Sequence, residues 1–232
     1  MKTLILIPAR AGSKGLPGKN VKILGDKPLI SYSMEFASRI CKPGDRVCIT
    51  TNDEDVMSIA QATGYPVDFK RPEHLATDTA GSYDVMLHAL QFFRDHGEEY
   101  DRLLLLQPTS PFRTVDDYEK MEAIFDESCD MVVSVRIAKD NPYFNLFEET
   151  EDGYLRMSKE LAYQTRQQSP PVYAYNGSIY IIRVASLLKS PLSGFQNIRK
   201  FVMPEERSVD IDTMKDWLIA EYYLKEIVNE NS

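Results

Sequence analysis

The sequence predicts an α/β fold of the Rossmann-like type, a three-layer sandwich in which a mainly parallel sheet lies between two layers of helices. Short apolar runs bounded by turn residues recur as far as Val135, and amphipathic helical patterns separate them. Strands that alternate with helices in this way form βαβ units, whose parallel strands are buried on both faces. The chain of 232 residues is long enough for one such domain, and we expect residues 1–232 to form it.

The predicted elements follow one another along the chain. The strands are Leu4–Ile7, Arg46–Thr50, Arg102–Leu106 and Met131–Val135. The helices are Pro28–Ile40, Asp53–Thr63, Ser82–Phe93, Thr114–Phe125 and Thr213–Val228. Local residue types indicate where the helices begin and end: Pro28 suits a first turn, and Gly64 is a typical stop. Thr114 or Asp116 would cap the fourth helix.

The alternation of strands and helices ends after about Val135. Residues 139–200 are richer in aromatic and polar side chains, and Val172–Tyr175 and Ser178–Ile182 have the alternating pattern of strands. We expect this region to form a small β-rich appendage or a dimer arm. In the final helix, core packing is the simplest interpretation of the apolar residues Met214, Trp217, Leu218, Leu224 and Ile227.

Composition limits the classes of partner and compartment. The chain has 35 acidic and 27 basic side chains, a net charge of −8, which argues against general nucleic-acid binding. An anionic ligand would therefore need a local concentration of basic groups. Three cysteines without a Cys-x-x-Cys pair indicate neither a disulfide framework nor a zinc site. Because no apolar run approaches the roughly 18 residues of a membrane span, we expect a cytoplasmic protein.

The most informative segment directly follows the first predicted strand. Residues 7–20 read IPARAGSKGLPGKN, with three glycines among Arg10, Lys14 and Lys19. Glycine lets the backbone approach a ligand closely, and the three cations suit a polyphosphate. The loop also lies where open α/β sheets bind ligands. We interpret it as a phosphate-binding loop, the alternative being a flexible basic surface loop. Its spacing fits neither a Walker A motif nor the dinucleotide fingerprint.

A second candidate site lies just before the final helix, in the segment SVDIDT at 208–213. Asp210 and Asp212 stand two residues apart, so an extended backbone would point both carboxylates to the same side. Mg²⁺ usually takes one or two protein carboxylates and completes its shell with water and phosphate oxygens. The pair therefore predicts a magnesium site, unless Asp212 merely caps the helix.

Six segments, in this order along the chain, resemble the acylneuraminate cytidylyltransferases, also called CMP-sialic acid synthetases. They are IPARAGSKGLPGKN at 7–20, RPEHLATDTAGS at 71–82, LLLQPTSPFR at 104–113, RQQ at 166–168, NGSIYI at 176–181 and SVDIDT at 208–213. The resemblance implies transfer of CMP from CTP to the anomeric hydroxyl of a nine-carbon α-keto sugar acid, with release of pyrophosphate. It also implies Mg²⁺ as cofactor and a homodimer in which residues 139–200 reach towards the partner.

The resemblance assigns roles to individual positions. Those assigned to the nucleotide are Arg10, Gly12, Ser13, Lys14, Lys19, Asn20, Arg71, Ala80 and Ser82. Those assigned to the sugar acid are Gln107, Arg166 and Gln167. Asp210 and Asp212 match the metal ligands, and Arg10, Lys19 and Asp212 are the expected catalytic residues. Arg166 would pair with the carboxylate of the substrate.

One segment departs from the pattern of the sialate-specific enzymes, which commonly carry His-Pro-x-Lys after the fifth strand. Residues 141–144 read Asn-Pro-Tyr-Phe instead. Either another residue such as Lys139 supplies the missing charge, or the sugar is not ordinary sialic acid; legionaminic, pseudaminic and deaminated nonulosonic acids stay open. The alternative functions are a cytidylyltransferase for keto-deoxy-octulosonate, a metal-dependent glycosyltransferase and a non-catalytic nucleotide-binding protein.

Overall fold

A computed structural model describes residues 1–65, 67–159, 167 and 169–230, the last four by their backbone alone. The strands are β1 Thr3–Pro8, β2 Ile23–Leu24, β3 Lys27–Pro28, β4 Arg46–Thr50, β5 Arg102–Leu106, β6 Met131–Ile137, β7 Phe147–Glu149, β8 Leu155–Met157, β9 Tyr173–Arg183 and β10 Ile198–Val202. The α-helices are α1 Leu29–Ile40, α2 Glu54–Ala62, α3 Ser82–Asp95, α4 Val115–Ala123, α5 Val184–Leu187 and α6 Met214–Glu230. Of the helices in these described ranges, none is long and apolar enough to cross a membrane.

The centre of the molecule is a six-stranded sheet in the order β10-β6-β9-β5-β1-β4. β1 runs parallel to both β4 and β5, and β10 runs parallel to β6. β9 alone is antiparallel to its two neighbours in this sheet. The sheet is therefore mainly parallel, as the alternation of strands and helices predicts.

The strands of this sheet send their side chains alternately into two apolar cores. Ile5 and Ile7 of β1 pack against α1, α2 and α4 on one face. Leu4 and Leu6 pack against α3 and α5 on the other face. Because successive residues of a strand point to opposite faces, a sheet covered on both sides needs an uninterrupted apolar run. The predicted three-layer sandwich is confirmed.

The helix boundaries form at the residue types that predict them. The Asp53 carboxylate accepts hydrogen bonds from two backbone N–H groups in the first turn of α2, and Gly64 beyond that helix adopts φ +82°. Thr114, and not Asp116, caps α4, in a capping box with Asp117. α1 begins one residue after Pro28.

The structure corrects the expectation that Val172–Tyr175 and Ser178–Ile182 belong to an appendage. The two segments form the single strand β9, which lies between β5 and β6 in the main sheet. A register shift opposite Val133 and Val135 lets the strand continue through Gly177, whose φ is +73°. The apolar run of β9 after Gly177 is buried on both faces, which explains why this strand lies inside the main sheet and not in an appendage. Within 139–200, the small β7–β8 hairpin forms a sheet of its own.

The final helix contributes to the core along one face only. Trp217 is buried in a third apolar cluster together with Leu16 and Leu24 from the region of the basic loop. Met214 and Leu218, however, are 49% and 59% exposed, which corrects the expectation that they pack in the core. The side chain of Ile227 lies outside the described part of the chain. α6 therefore packs against the basic loop and leaves an apolar strip uncovered.

A buried ion pair anchors the chain just before the acidic segment 208–213. The carboxylate of Asp117 is fully buried and accepts hydrogen bonds from Nε and Nη2 of Arg207, at 3.2 and 2.9 Å. The same carboxylate closes the capping box with Thr114. One side chain thus joins the start of α4 to the entry of the acidic segment.

We expect Asp117→Ala to lower the free energy of unfolding by about 2–4 kcal/mol, because it removes a helix cap and leaves the half-buried Arg207 without its partner. Urea denaturation measures the change. Asp116→Ala is the matched control, since its carboxylate pairs with Lys120 on the exposed surface of the same helical turn. The control should lose much less stability. Equal losses in the two variants would contradict the anchoring role.

Candidate active site

A cleft of about 440 Å³ opens where β1 and β5 end. Pro8, the last residue of β1, and Gln107, the first residue after β5, both line it. The first turn of α3 contributes Ser82 and Val85 to the wall, which brings the positive end of that helix to the cleft. The cleft thus occupies the usual ligand position of an open α/β sheet.

Most of the residues that sequence analysis assigned to the nucleotide line this cleft. They are Arg10, Ser13, Lys14, Lys19, Asn20, Arg71, Ala80 and Ser82. Gly12 is exposed in the same loop, where its φ of +71° allows the chain to turn. Gln107 and Asp212 also line the cleft. The fold therefore gathers residues from four of the six motifs.

Two of the predicted residues, Asp210 and Gln167, are placed differently. Asp210 lines a larger neighbouring cleft of about 1180 Å³, so the two aspartates face adjoining clefts and not one. Gln167 is exposed and does not line the smaller cleft. Arg166 lies outside the described residues. Desolvation by the cleft wall raises the pKa of Asp210, and the nearby charge of Asp212 raises it further.

The floor of the smaller cleft is electropositive. Arg71 is 4% exposed, and its guanidinium donates to the hydroxyl and the carbonyl oxygen of Thr50. Burial, and to a smaller extent the charge of nearby Arg10, lowers the pKa of Arg71 to about 10. Because each cation disfavours the charge of the other, an anion bound between them would stabilise both.

The basic loop and the acidic segment contact each other through Lys19 and Gly15. The Lys19 ammonium is buried and lies 2.6 Å from the carbonyl oxygen of Ile211 and 2.9 Å from the carboxylate of Asp212. A Cβ atom on Gly15 would lie 2.3 Å from the carbonyl oxygen of Asp212. Glycine is therefore required at position 15 for the two segments to approach this closely.

The structure excludes the helix-cap interpretation of Asp212. Thr213 and Asp216 cap α6 instead, through two reciprocal hydrogen bonds. The Asp216 carboxylate accepts from the backbone N–H of Thr213 at 2.7 Å, and the Thr213 hydroxyl accepts from the backbone N–H of Asp216. The Asp212 side chain is left 70% exposed at the cleft. In the described ranges, no cluster of three or more His, Cys, Asp or Glu side chains that could hold a metal ion occurs.

Sequence analysis missed two residues that shape the basic loop. The Asp78 carboxylate accepts from Arg10 and Lys14, each at 2.6 Å, and these hydrogen bonds lower the pKa of Asp78. The side-chain oxygen of Asn52 accepts from the backbone N–H of Ala11. Asp78 lies inside the motif RPEHLATDTAGS, but nothing in its local pattern distinguishes it from an ordinary turn residue.

Comparison with known proteins adds independent information. The cytidylyltransferase family matches residues 4–222. The post-translational flagellin modification protein B of Campylobacter coli is 35% identical over 96% of this chain and 95% of its own length. The CMP-N,N'-diacetyllegionaminic acid synthase of Legionella pneumophila is 31% identical over 95% of each chain. The N-acylneuraminate cytidylyltransferase of Escherichia coli is 34% identical over 94% of this chain and 51% of its own length.

A solved structure of CMP:2-keto-3-deoxy-manno-octonic acid synthetase complexed with CTP has a TM-score of 0.69 to this chain. The alignment covers 97% of this chain and 99% of the synthetase chain. At 20% sequence identity, the similarity shows a shared fold. The family match includes the basic loop, the strands and the acidic segment, and it confirms the resemblance carried by the six motifs. The chain belongs to the cytidylyltransferase family and is a nucleotidyltransferase.

Proposed function

We propose that this protein transfers CMP from CTP to the anomeric hydroxyl of a nine-carbon α-keto sugar acid and releases pyrophosphate. The observation that carries the proposal is the convergence of Arg10, Lys19 and Arg71 on one cleft. In a protein of net charge −8, these cations supply the local positive charge that a triphosphate needs. The relatives named for legionaminic and N-acylneuraminic acids support a nine-carbon acceptor.

The proposed reaction depends mainly on positioning and charge neutralisation. The hydroxyl oxygen of the sugar attacks the α-phosphorus, the bond from that phosphorus to the bridging oxygen breaks, and pyrophosphate leaves. Lys19 and Arg10 would neutralise the phosphates while negative charge moves to the leaving group. His74 and His88 line an adjoining pocket outside the cleft. We therefore expect a carboxylate, and not an imidazole, to take the proton of the hydroxyl.

The assignment of individual contacts follows the shape of the cleft. Arg71, Ala80 and Ser82 line the cleft as proposed contacts of the nucleotide, and Gln107 lines it as the proposed contact of the sugar acid. Arg166 and Gln167 remain predictions for the same substrate. Lys139 lies in the larger cleft, where its ammonium is 2.6 Å from Glu205. Its place there supports Lys139 as the cation that replaces the missing lysine of the sialate-specific pattern.

The proposal includes Mg²⁺ as cofactor, held by Asp210 and Asp212 together with phosphate oxygens. Oxygen atoms of Asp210 and Gln107 lie 3.2 and 3.3 Å from the point where a Cβ of Gly177 would stand. Asp212 is exposed at the adjoining cleft, so carboxylate and amide oxygens approach one another at the boundary of the two clefts. Such hard donors fit Mg²⁺, which would neutralise phosphate charge and lower the pKa of the attacking hydroxyl.

The cytoplasm is the proposed compartment. Cys41, Cys48 and Cys129 all carry free thiols, which is the state that a reducing compartment maintains. Cys48 and Cys129 are buried in the apolar cores, so their thiols contribute to packing and not to the cleft.

The proposed homodimer rests on the β7–β8 hairpin. An isolated two-stranded hairpin is only marginally stable in water, yet Phe147, Tyr154 and Leu155 on this one are 49%, 70% and 70% exposed. The larger cleft is bordered by further exposed apolar side chains, Ile137, Leu218 and Tyr222. In a two-fold dimer, the hairpin of each subunit would cover the apolar border of its partner.

The proposed activity is tested by pyrophosphate release from CTP and Mg²⁺ with a panel of sugar acids. The panel contains N-acetylneuraminic, legionaminic, pseudaminic, deaminated nonulosonic and keto-deoxy-octulosonic acids. We expect at least one nine-carbon acid to give a kcat/KM about tenfold or more above that of the eight-carbon acid, because relatives at 31% and 34% identity are named for nine-carbon acids. A coupled phosphate assay measures the rates.

Asp212→Asn serves as the inactive reference in this assay, with an expected loss in kcat of about 10²-fold. Asp116→Asn is its control, because that carboxylate is exposed on α4. Absence of release with every acid would contradict the proposal. Tighter binding of a nucleotide sugar than of CTP would favour a glycosyltransferase, and CTP binding without turnover would favour a non-catalytic protein.

Lys19→Met removes the ammonium group and keeps an unbranched stem. We expect CTP affinity to fall about tenfold and kcat/KM about 10²-fold, because the triphosphate loses a charge-assisted donor. Calorimetry and steady-state kinetics measure the two effects. Lys22→Met is the matched control, since the Lys22 ammonium lies 5.1 Å from the centre of the Trp217 ring and does not line the cleft. Similar losses in both variants would argue against a specific role for Lys19.

Leu155→Glu places a charge on the exposed face of the hairpin and is expected to shift the protein from dimer to monomer, because the charge would be buried on association. Sedimentation velocity measures the change in mass. Ile23→Glu, at another exposed apolar position in β2, should leave the dimer intact. A wild-type monomer, or a dimer unaffected by Leu155→Glu, would rule out this interface.

A further inference from the structure

Arg113 is a buried guanidinium without an acidic partner. The residue is 6% exposed, and burial lowers its pKa to about 9. In the part of the chain that the structure describes, no carboxylate pairs with it; the acceptors are the carbonyl oxygens of Gln107 and Ser110 and the hydroxyls of Ser33 and Ser178. Burying an unpaired charge costs free energy, and an apolar residue of similar volume often serves packing as well. Packing alone therefore does not account for arginine here.

The turn that Arg113 binds has few donors of its own. Residues 107–111 read Gln-Pro-Thr-Ser-Pro, and Pro108 and Pro111 have no backbone N–H. Buried carbonyl oxygens still need hydrogen-bond partners. The Gln107 carbonyl accepts the Ser110 backbone N–H at 3.3 Å, and the guanidinium donates to the carbonyl oxygens of both Gln107 and Ser110. Its remaining donors reach Ser33 on α1 and Ser178 on β9. Arg113 thus fixes the turn to two rigid elements.

The same turn contains Gln107 and contacts the acidic segment 208–213, the two parts of the proposed sugar-acid site. Gln107 lines the smaller cleft, and the carbonyl oxygen of Thr109 accepts the Ile211 backbone N–H at 2.8 Å. Thr109 itself also lines the smaller cleft. A shift of the turn would therefore move Gln107 and the acidic segment together.

We propose that Arg113 is a positioning residue of the cytidylyl-transfer site, which holds the turn 107–110 so that Gln107 and the acidic segment meet the sugar acid. This inference rests on the proposed function for its kinetic consequence. The guanidinium of Arg113 reaches four acceptors from three nitrogen atoms: Nη2 donates to both carbonyl oxygens, Nη1 to Ser33 and Nε to Ser178. The donors of a lysine ammonium all lie on one nitrogen atom and cannot reach all four. Positive charge alone is therefore insufficient at position 113.

The test compares Arg113→Lys and Arg113→Met with the wild-type enzyme. A misplacement of about 1 Å costs on the order of 10²-fold in rate, so we expect kcat/KM for the sugar acid to fall about 10²-fold in both variants. CTP affinity, measured by calorimetry, should change less than about tenfold, because Asp78 and Thr50 hold Arg10 and Arg71 away from the turn and only Lys19 contacts the acidic segment. Arg183→Lys is the matched control: Arg183 also binds two carbonyl oxygens, those of Cys129 and Asp126, away from the cleft. It should leave both quantities unchanged.

Hydrogen exchange gives a readout that does not require turnover. The Ile211 amide, bonded to Thr109, should exchange at least about tenfold faster in both Arg113 variants and remain unchanged in Arg183→Lys. Unaltered exchange at Ile211, or a sugar-acid kcat/KM equal to wild type, would overturn the inference. A proportional loss of CTP affinity would also overturn it, because that indicates general disruption. Wild-type protein inactive with every acid would instead refute the proposed function, and the exchange data would still decide the role of Arg113.

Discussion

The buried ammonium of Lys19 joins parts of the chain that are 193 residues apart and sets the geometry of the cleft. A buried cation needs hydrogen-bond acceptors, and the Ile211 carbonyl and the Asp212 carboxylate provide them. The cluster around Trp217 closes over the same junction, and Gly15 leaves room for the close approach. The basic loop, the acidic segment and α6 therefore form one unit, and the cleft exists only when all three are in place.

The charges around that junction explain how an acidic protein can offer a site for anions. Asp78 and Asp212 partly neutralise the basic loop, while the guanidinium of Arg71 hydrogen-bonds only to oxygens of Thr50 among the described contacts. Positive potential is thus concentrated at the floor, where burial makes it strongest. The net charge of −8 describes the outer surface and says little about a site of this size.

The sequence predicts the features that depend on local geometry. The apolar run of β1, the cap at Asp53 and the glycine-rich loop each have a cause within a few residues, so their positions could be inferred directly. The place of β9 could not, because alternation indicates a strand without indicating its neighbours. Successive side chains of an extended chain point to opposite sides, so the spacing of Asp210 and Asp212 likewise predicts that their carboxylates point the same way. Which cleft each one faces depends on Thr109 and Gly177, which are distant in sequence.

The two walls of the cleft are held by different physical means. On the nucleotide side, cations are themselves the binding groups, and carboxylates or carbonyl oxygens hold them in place. The contacts of Gln107, by contrast, depend on a turn whose prolines lack backbone N–H groups, and Arg113 donates to the carbonyl oxygens of Gln107 and Ser110 in that turn. A guanidinium can satisfy acceptors from several elements at once, which a hydroxyl or an amide cannot do. In the motif LLLQPTSPFR, the final residue, Arg113, thus donates hydrogen bonds to the turn in which Pro108 and Pro111 have no backbone N–H to donate.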